Sequence, residues 1–205
     1  MKNKNILKRT LSSFLIVVVL LLNITSNIYA AAPKVSKDSS LGLYLYEDST
    51  KSELYSHNGN KKMYPASTTK IMTAALTLEY IKDLNKKVTT GSELNRLPAG
   101  SSTASLYKNE TLSYKDLLYG LMLPSGNDAA IVLACNVGKV ISKDKNISKD
   151  KAYSVFVKEM NKKAKEIGMT KTHFNNPHGF HDKNHYSCLL YTSHKGLLFL
   201  HLSAS

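Results

Sequence analysis

Apolar positions change their spacing several times along the chain, and each change marks a structural boundary. Phe14 to Leu22 is almost unbroken in its apolar character, preceded by Lys2, Lys4, Lys8 and Arg9 and followed by small residues at Ala30, Ala31 and Ala32. The run is shorter than the roughly 20 residues needed to cross a bilayer. A basic start, an apolar middle and a small-residue end make a cleavable export leader. Residues 1–30 are therefore expected to be a signal peptide cut near Ala30.

Beyond the leader, Gly42 to Glu47 is rich in strand formers, and Ser52 to His57 is a second short strand across a polar turn at Asp48 to Lys51. Together they predict a hairpin. Between Thr68 and Ile81 the apolar residues Ile71, Ala74, Ala75, Leu78 and Ile81 recur at helical spacing. A loop rich in Gly and Ser spans Gly91 to Ser105, and Ser113 to Leu123 predicts a second helix with Leu117, Leu118, Leu121 and Met122 inward. Pro124-Ser125-Gly126 breaks that helix. A third begins near Asn127 and runs through Ala129, Ile131, Val132 and Leu133 to Gly138; a fourth covers about Lys149 to Ile167 and is ended by Gly168. The pattern is mostly helical with strands at the edges and has no internal repeat. The lysine-rich stretch Lys143 to Lys151 reads as a solvated turn.

Composition narrows the class. At 205 residues and 42% hydrophobic content the chain can bury one ordinary core. The net charge is +13, and removing the leader's four basic residues leaves +9. On an exported protein such a charge suits anionic wall polymers or lipid headgroups. No motif for RNA or DNA supports a nucleic-acid partner. Two cysteines, Cys135 and Cys188, are too few for a disulfide scaffold, and Cys135 lies in an apolar stretch that suits a buried thiol.

Ser67-Thr68-Thr69-Lys70 carries the first candidate chemistry. Three residues apart on a helix, the serine and lysine share a face about one turn apart. A serine hydroxyl becomes a good nucleophile when a neighbouring base takes its proton, and a lysine serves once burial or nearby positive charge makes it neutral. A helix start also directs backbone N–H groups and the helix dipole at developing negative charge. The spacing alone is weak, since it recurs at Ser105 to Lys108, Ser142 to Lys145 and Ser148 to Lys151. What sets Ser67 apart is the apolar helix that follows and a second group downstream. That group is Ser125-Gly126-Asn127, at the junction between two apolar helices. There the Ser125 hydroxyl can relay a proton to a leaving group, and the Asn127 amide can hold a peptide substrate and the lysine. The bland alternative is a turn followed by an Asn N-cap, and Ser56-His57-Asn58 matches the same short pattern.

The combination of Ser-x-x-Lys with a downstream Ser-x-Asn is far more specific than either part. The segment Tyr64 to Thr73, with Pro65, Ala66, Ser67 and Lys70, resembles the nucleophile segment of the D-alanyl-D-alanine carboxypeptidases. These are low-molecular-mass penicillin-binding proteins of serine peptidase family S11. Leu117 to Ala130 resembles their second motif, and Thr172 to Phe180, followed by His185-Tyr186-Ser187, a later loop. The resemblance covers roughly 41–187. It implies an exported α/β protein of the β-lactamase/transpeptidase-like fold, a helical cluster packed on an antiparallel sheet. It also implies removal of the terminal D-alanine from peptidoglycan stem peptides through an acyl-enzyme on Ser67, with β-lactams acylating the same serine. Lys70 would be the base, Ser125 and Asn127 would complete this part of the site, and the Ser67 backbone N–H would be one oxyanion donor. No cofactor is implied.

The chain departs from the family at its end. The third family motif, Lys-Thr-Gly on a cleft strand, is missing, because His194-Lys195-Gly196 lacks the threonine and comes too soon. Cys188 to Ser193 resembles the translation of a transposon-end sequencing adapter, so 31–187 is read as a partial domain and 188–205 as an off-family tail. A chain without the missing strands is expected to fold poorly and to be weakly active or inactive. Three rival readings fit less well. A class A β-lactamase would need a Glu-x-x-Leu-Asn after Ser125, which this chain lacks. A non-catalytic penicillin sensor would acylate once without turnover. A zinc peptidase built on His173, His178, His181 and His185 lacks a recognised ligand spacing.

Overall fold

A computed structural model describes residues 43–47, 52–58 and 60–188. The leader, the turn at 48–51 and the tail from 189 onward, including His194-Lys195-Gly196, lie outside the described residues. Three antiparallel pairs make up the described sheet structure. β1 (Leu43–Glu47) pairs with β2 (Ser52–His57) as the expected hairpin, with a register shift between Leu45 and Tyr46. β3 (Lys62–Met63) pairs with β6 (Ser187–Cys188), and β4 (Lys87–Thr89) with β5 (Thr111–Ser113). The last four strands are two or three residues long, too short for an alternating pattern to announce them.

Four helices form the body: α1 (Thr69–Tyr80), α2 (Tyr114–Met122), α3 (Asn127–Ser142) and α4 (Lys149–Glu166). α3 is the centre, packing against α1, α2, α4 and the 3-10 turn Ser92–Arg96. That is why it is apolar nearly all round: Ala129 to Cys135 and Val137 are fully buried. α2 starts on a capping box in which Ser113 Oγ accepts from the Asp116 N–H (3.1 Å) and the Asp116 carboxylate from the Ser113 N–H (3.0 Å).

Three expectations need correction. Met122 does not face inward and is 49% exposed, whereas Tyr114 is buried with Leu117 and Leu121. These three share one face, Met122 lies about 100° round from Leu121, and the helix stops there before a neighbour can cover it. Gly138 does not end α3, which runs on to Ser142 and stops at Lys143 in the left-handed region (φ 58°). Gly138 instead lets α4 approach: a Cβ there would sit 2.0 Å from the Ala152 carbonyl oxygen. Gly138→Ala is therefore expected to force α3 and α4 apart and cost roughly 1–3 kcal/mol, as overpacking does. An unchanged urea midpoint would contradict this contact. Finally, Lys149 is not a solvated turn residue, because it opens α4 and forms an ion pair with the buried Glu93.

Candidate active site

Ser67 lies in a 3-10 turn (Ala66–Thr68) that runs directly into α1, whose second residue is Lys70. Ser67 is exposed while Lys70 is only 2% exposed. The shared helical face places Lys70 Nζ 3.2 Å from Ser67 Oγ, to which it donates. Ser125 Oγ donates to the same oxygen at 3.0 Å, so two groups from distant parts of the chain converge on one hydroxyl. Burial lowers the Lys70 pKa from 10.5 to about 8, with the Asp128 carboxylate opposing the shift.

Backbone outliers flank this pair. Ala66 (φ 48°) and Ser125 (φ 57°) are both in the left-handed region, which costs a non-glycine residue roughly 1–2 kcal/mol. Ser125 is held there by its neighbours. Its carbonyl accepts from Ser102 Oγ (2.7 Å), the Gly126 N–H donates to the Gly120 carbonyl (3.0 Å), and the Asn127 N–H donates to the Ser102 carbonyl (2.9 Å). Gly126 is required for space, since a Cβ would lie 2.6 Å from the Gly120 oxygen. Asn127 does not act as an N-cap: Gly126 occupies the cap position, and Asn127 lies in the first turn of α3. Its Oδ1 is buried and has no hydrogen-bond donor among the described residues.

Several supporting groups have no counterpart in the sequence reading. Asp128 accepts from the N–H groups of Ala104 (2.8 Å) and Leu106 (3.0 Å), fastening the 101–107 segment beside the Ser125 turn. On the other side, a buried polar stripe on α1 meets the loop 175–185. Thr69 Oγ1 pairs with His185 Nε2 (2.8 Å), Lys70 Nζ donates to the His178 carbonyl (3.0 Å), and Thr73 Oγ1 donates to the Pro177 carbonyl (2.6 Å). Asn176 shapes the turn by accepting from the Gly179 N–H (2.7 Å) and donating to the Phe180 carbonyl (2.9 Å). Thr69, Thr73 and Thr77, four residues apart on one face of a mostly apolar helix, are the signal that could have pointed to this stripe. Gly179 (φ 83°) packs so tightly that a Cβ would lie 1.7 Å from the Ala66 carbonyl oxygen.

The histidines considered as zinc ligands have other work. His185 Nδ1 accepts from the Asn175 N–H (3.1 Å), which leaves its Nε2 hydrogen for Thr69. His178 Nδ1 accepts from the Phe180 N–H (3.1 Å). Among the described residues no group of three or more His, Cys, Asp or Glu is placed to hold a metal ion. Burial, and then the Lys70 charge, lowers the His178 pKa to about 3; burial lowers that of His185 to about 4 against a smaller opposing effect of Asp182. Cys135 is buried too, and burial raises its thiol to about 12.

These two histidines carry a pH prediction. Each has a folded pKa below its ordinary 6.5. Between pH 6.5 and about 4 the unfolded chain therefore binds protons that the folded chain does not, and stability falls as pH falls. The slope is expected to reach about 1.4 kcal/mol per pH unit for each histidine. The lowered carboxyls of Asp116, Asp182 and Glu166 start from ordinary values of 3.8 to 4.5 and add to the fall only at the acid end of this window and below it. Urea unfolding at pH 7.5, 6 and 5 tests it; equal midpoints would contradict neutral, buried rings.

Comparison with known proteins follows the same lines. A family model described as D-alanyl-D-alanine carboxypeptidase matches residues 29–193. The D-alanyl-D-alanine carboxypeptidase DacF of Bacillus subtilis (strain 168) is 34% identical over 188 residues, covering 88% of this chain and 45% of the relative. The D-alanyl-D-alanine carboxypeptidase of Streptomyces sp. (strain K15) is 33% identical over 152 residues, 73% of this chain and 50% of the relative. This chain thus spans about half the length of these curated relatives. Among solved structures, a single-site mutant of the Streptomyces K15 DD-transpeptidase superposes with a TM-score of 0.73 at 29% identity, over 83% of this chain and 63% of that one. Penicillin binding protein 5 from Haemophilus influenzae gives 0.62 at 30% identity, over 74% and 42%. The fold is the expected α/β transpeptidase-like one, of which the described residues hold the helical cluster and short antiparallel pairs.

Proposed function

This chain belongs to the D-alanyl-D-alanine carboxypeptidase family, and from that premise we propose that it is the part of a serine carboxypeptidase that forms an acyl-enzyme on Ser67. The substrate is a peptidoglycan stem peptide ending in D-Ala-D-Ala, and β-lactams are covalent inhibitors. One observation carries the reading: Ser67 Oγ lies 3.2 Å from a buried lysine nitrogen and 3.0 Å from Ser125 Oγ.

Neutral Lys70 takes the Ser67 proton as Oγ bonds to the carbonyl carbon of the penultimate D-alanine. The resulting oxyanion is stabilised by the Ser67 N–H and the start of α1. The C–N bond then breaks, and the proton passes from Lys70 through Ser125 to the departing amine, releasing D-alanine. Asn127 Oδ1 holds a substrate N–H, and water frees Ser67 by attacking the ester. A base with a pKa of about 8 is well matched to this cycle, since it is neutral often enough near pH 7 to accept a proton and still acidic enough to return it.

The leader 1–30 and the residual +9 charge support export to the cell wall or the outer face of the cytoplasmic membrane, with a role in cell wall biogenesis and cell shape. Association with anionic wall polymers or the membrane surface fits the same charge. The partial domain is read as 31–187, and its last described strand, β6, runs one residue further to the buried Cys188. The test is D-alanine released per mole of chain from a peptide ending in D-Ala-D-Ala. Many equivalents support a carboxypeptidase, whereas one equivalent identifies a penicillin-sensing acceptor. Hydrolysis of penicillin in preference to peptide identifies a β-lactamase, and no release with no penicillin labelling refutes the acyl-enzyme.

A further inference from the structure

A groove of about 510 Å³ opens between β3 and the loop leading into β6, lined among the described residues by Lys61, Lys62, Met63, Tyr64, Lys183 and Tyr186. Half of that lining is lysine and none of it is acidic. On α4, three of the six lysines pair with carboxylates: Lys149 with Glu93, Lys162 with Glu159, and Lys163 with Glu79. The three groove lysines form no ion pair among the described residues. Asp182, next to Lys183, is occupied within its own loop, where Oδ1 accepts from Asn175 Nδ2 (2.7 Å) and from the Asn184 N–H (2.8 Å). Lys62 Nζ is steered over the Tyr186 ring at 4.2 Å, an arrangement that fixes its place and keeps its charge.

One wall of the groove lies close in the chain to the nucleophile. Tyr64 is 58% exposed and stands three residues ahead of Ser67, which limits the backbone separation to about 11 Å. Its ring meets His181 edge-on at 4.2 Å, and His181 follows the Gly179 turn that packs on Ala66. A peptide held at Ser67 and extended along this side carries residues two or three upstream of the cleaved bond within the same reach. Three lysines with no carboxylate partner among the described residues, beside aromatic walls, suit an extended peptide with a free carboxylate at that distance.

We propose that this groove binds the carboxylate-bearing, glutamyl part of the stem peptide upstream of its D-Ala-D-Ala end, and so selects acidic over amidated stems. The inference rests on the acyl-transfer function above and adds the substrate feature that it recognises. Its test is a binding measurement on the 205-residue chain, following tyrosine ring signals by NMR. Two synthetic peptides ending in D-Ala-D-Ala are compared, alike except that the glutamyl carboxylate is free in one and amidated in the other. The free acid is expected to bind roughly five- to tenfold more tightly at low salt, as two or three partly exposed ion pairs allow, and raising the salt should shrink the difference. A chain with Lys61→Gln and Lys183→Gln together should lose the preference, while Lys108→Gln, in an exposed turn, should keep it. Equal binding of the two peptides, or a preference that survives the double substitution, would overturn the proposal. So would glycerol phosphate or anionic vesicles shifting the groove signals while the peptides are not distinguished, which would reassign the groove to a wall polymer or lipid. Penicillin labelling of the same chain, run alongside, separates the two ideas: its loss counts against the Ser67 acyl-enzyme, and its persistence with equal peptide binding counts against the groove alone.

Discussion

Ser67→Ala is expected to abolish covalent labelling by a fluorescent penicillin, lowering the acylation rate by roughly a thousandfold or more. The reason is geometric as well as chemical. Lys70 and Ser125 both aim at the oxygen of Ser67, and no other described hydroxyl accepts from a buried lysine nitrogen. Alanine removes the oxygen on which both groups converge and leaves the turn intact, because the Ala66–Thr68 turn is held by a backbone bond and not by the hydroxyl. Ser105→Ala is the matching control. Ser105 also precedes a lysine by three residues, but it lies in an exposed loop whose next residue, Leu106, is tied back to Asp128, and it should label at the normal rate. Undiminished labelling of the Ser67 variant would move the nucleophile elsewhere.

Lys70→Ala should slow acylation by roughly 10² to 10⁴, the range for removing a general base. The pH profile distinguishes this from damage to the fold. Because burial lowers the lysine from 10.5 to about 8, the reactive neutral form grows as pH rises, and acylation of the intact chain should climb through about pH 8 and then level off. In the alanine variant the residual rate should lose that inflection. A variant that is slow but keeps the rise through pH 8 would show that another group supplies the base.

How much of this was legible in advance depended on how local each feature is. The four helices could be read because each is at least nine residues long and buries a continuous face, so that spacing alone marks Leu117 and Leu121 or Ala74 and Ala75. The helix ends are less local: whether Met122 is covered and whether Gly138 ends its helix depend on a neighbour's position, which the spacing does not carry. Ser67 and Lys70 were legible because a helix fixes what three residues' separation means. Ser125 and Asn127 required the two motifs together, since 58 residues of chain separate Ser125 from the hydroxyl that it meets. The His178 carbonyl that holds Lys70 could not be found from sequence at all. It is a main-chain atom 108 residues away, and every residue has one. Likewise Asp128 reads as an ordinary acid in the first turn of a helix, and only the fold shows that it fastens the 101–107 segment.

The contact between Gly179 and Ala66 is main chain against main chain, with no side chain between them to act as a cushion. The loop behind the site and the turn that presents Ser67 therefore behave as two faces of a single gauge, whose spacing has one setting. Any substitution that swells the loop should reach Ser67 as a displacement of its backbone, slowing penicillin labelling without moving the rise through about pH 8 that Lys70 sets.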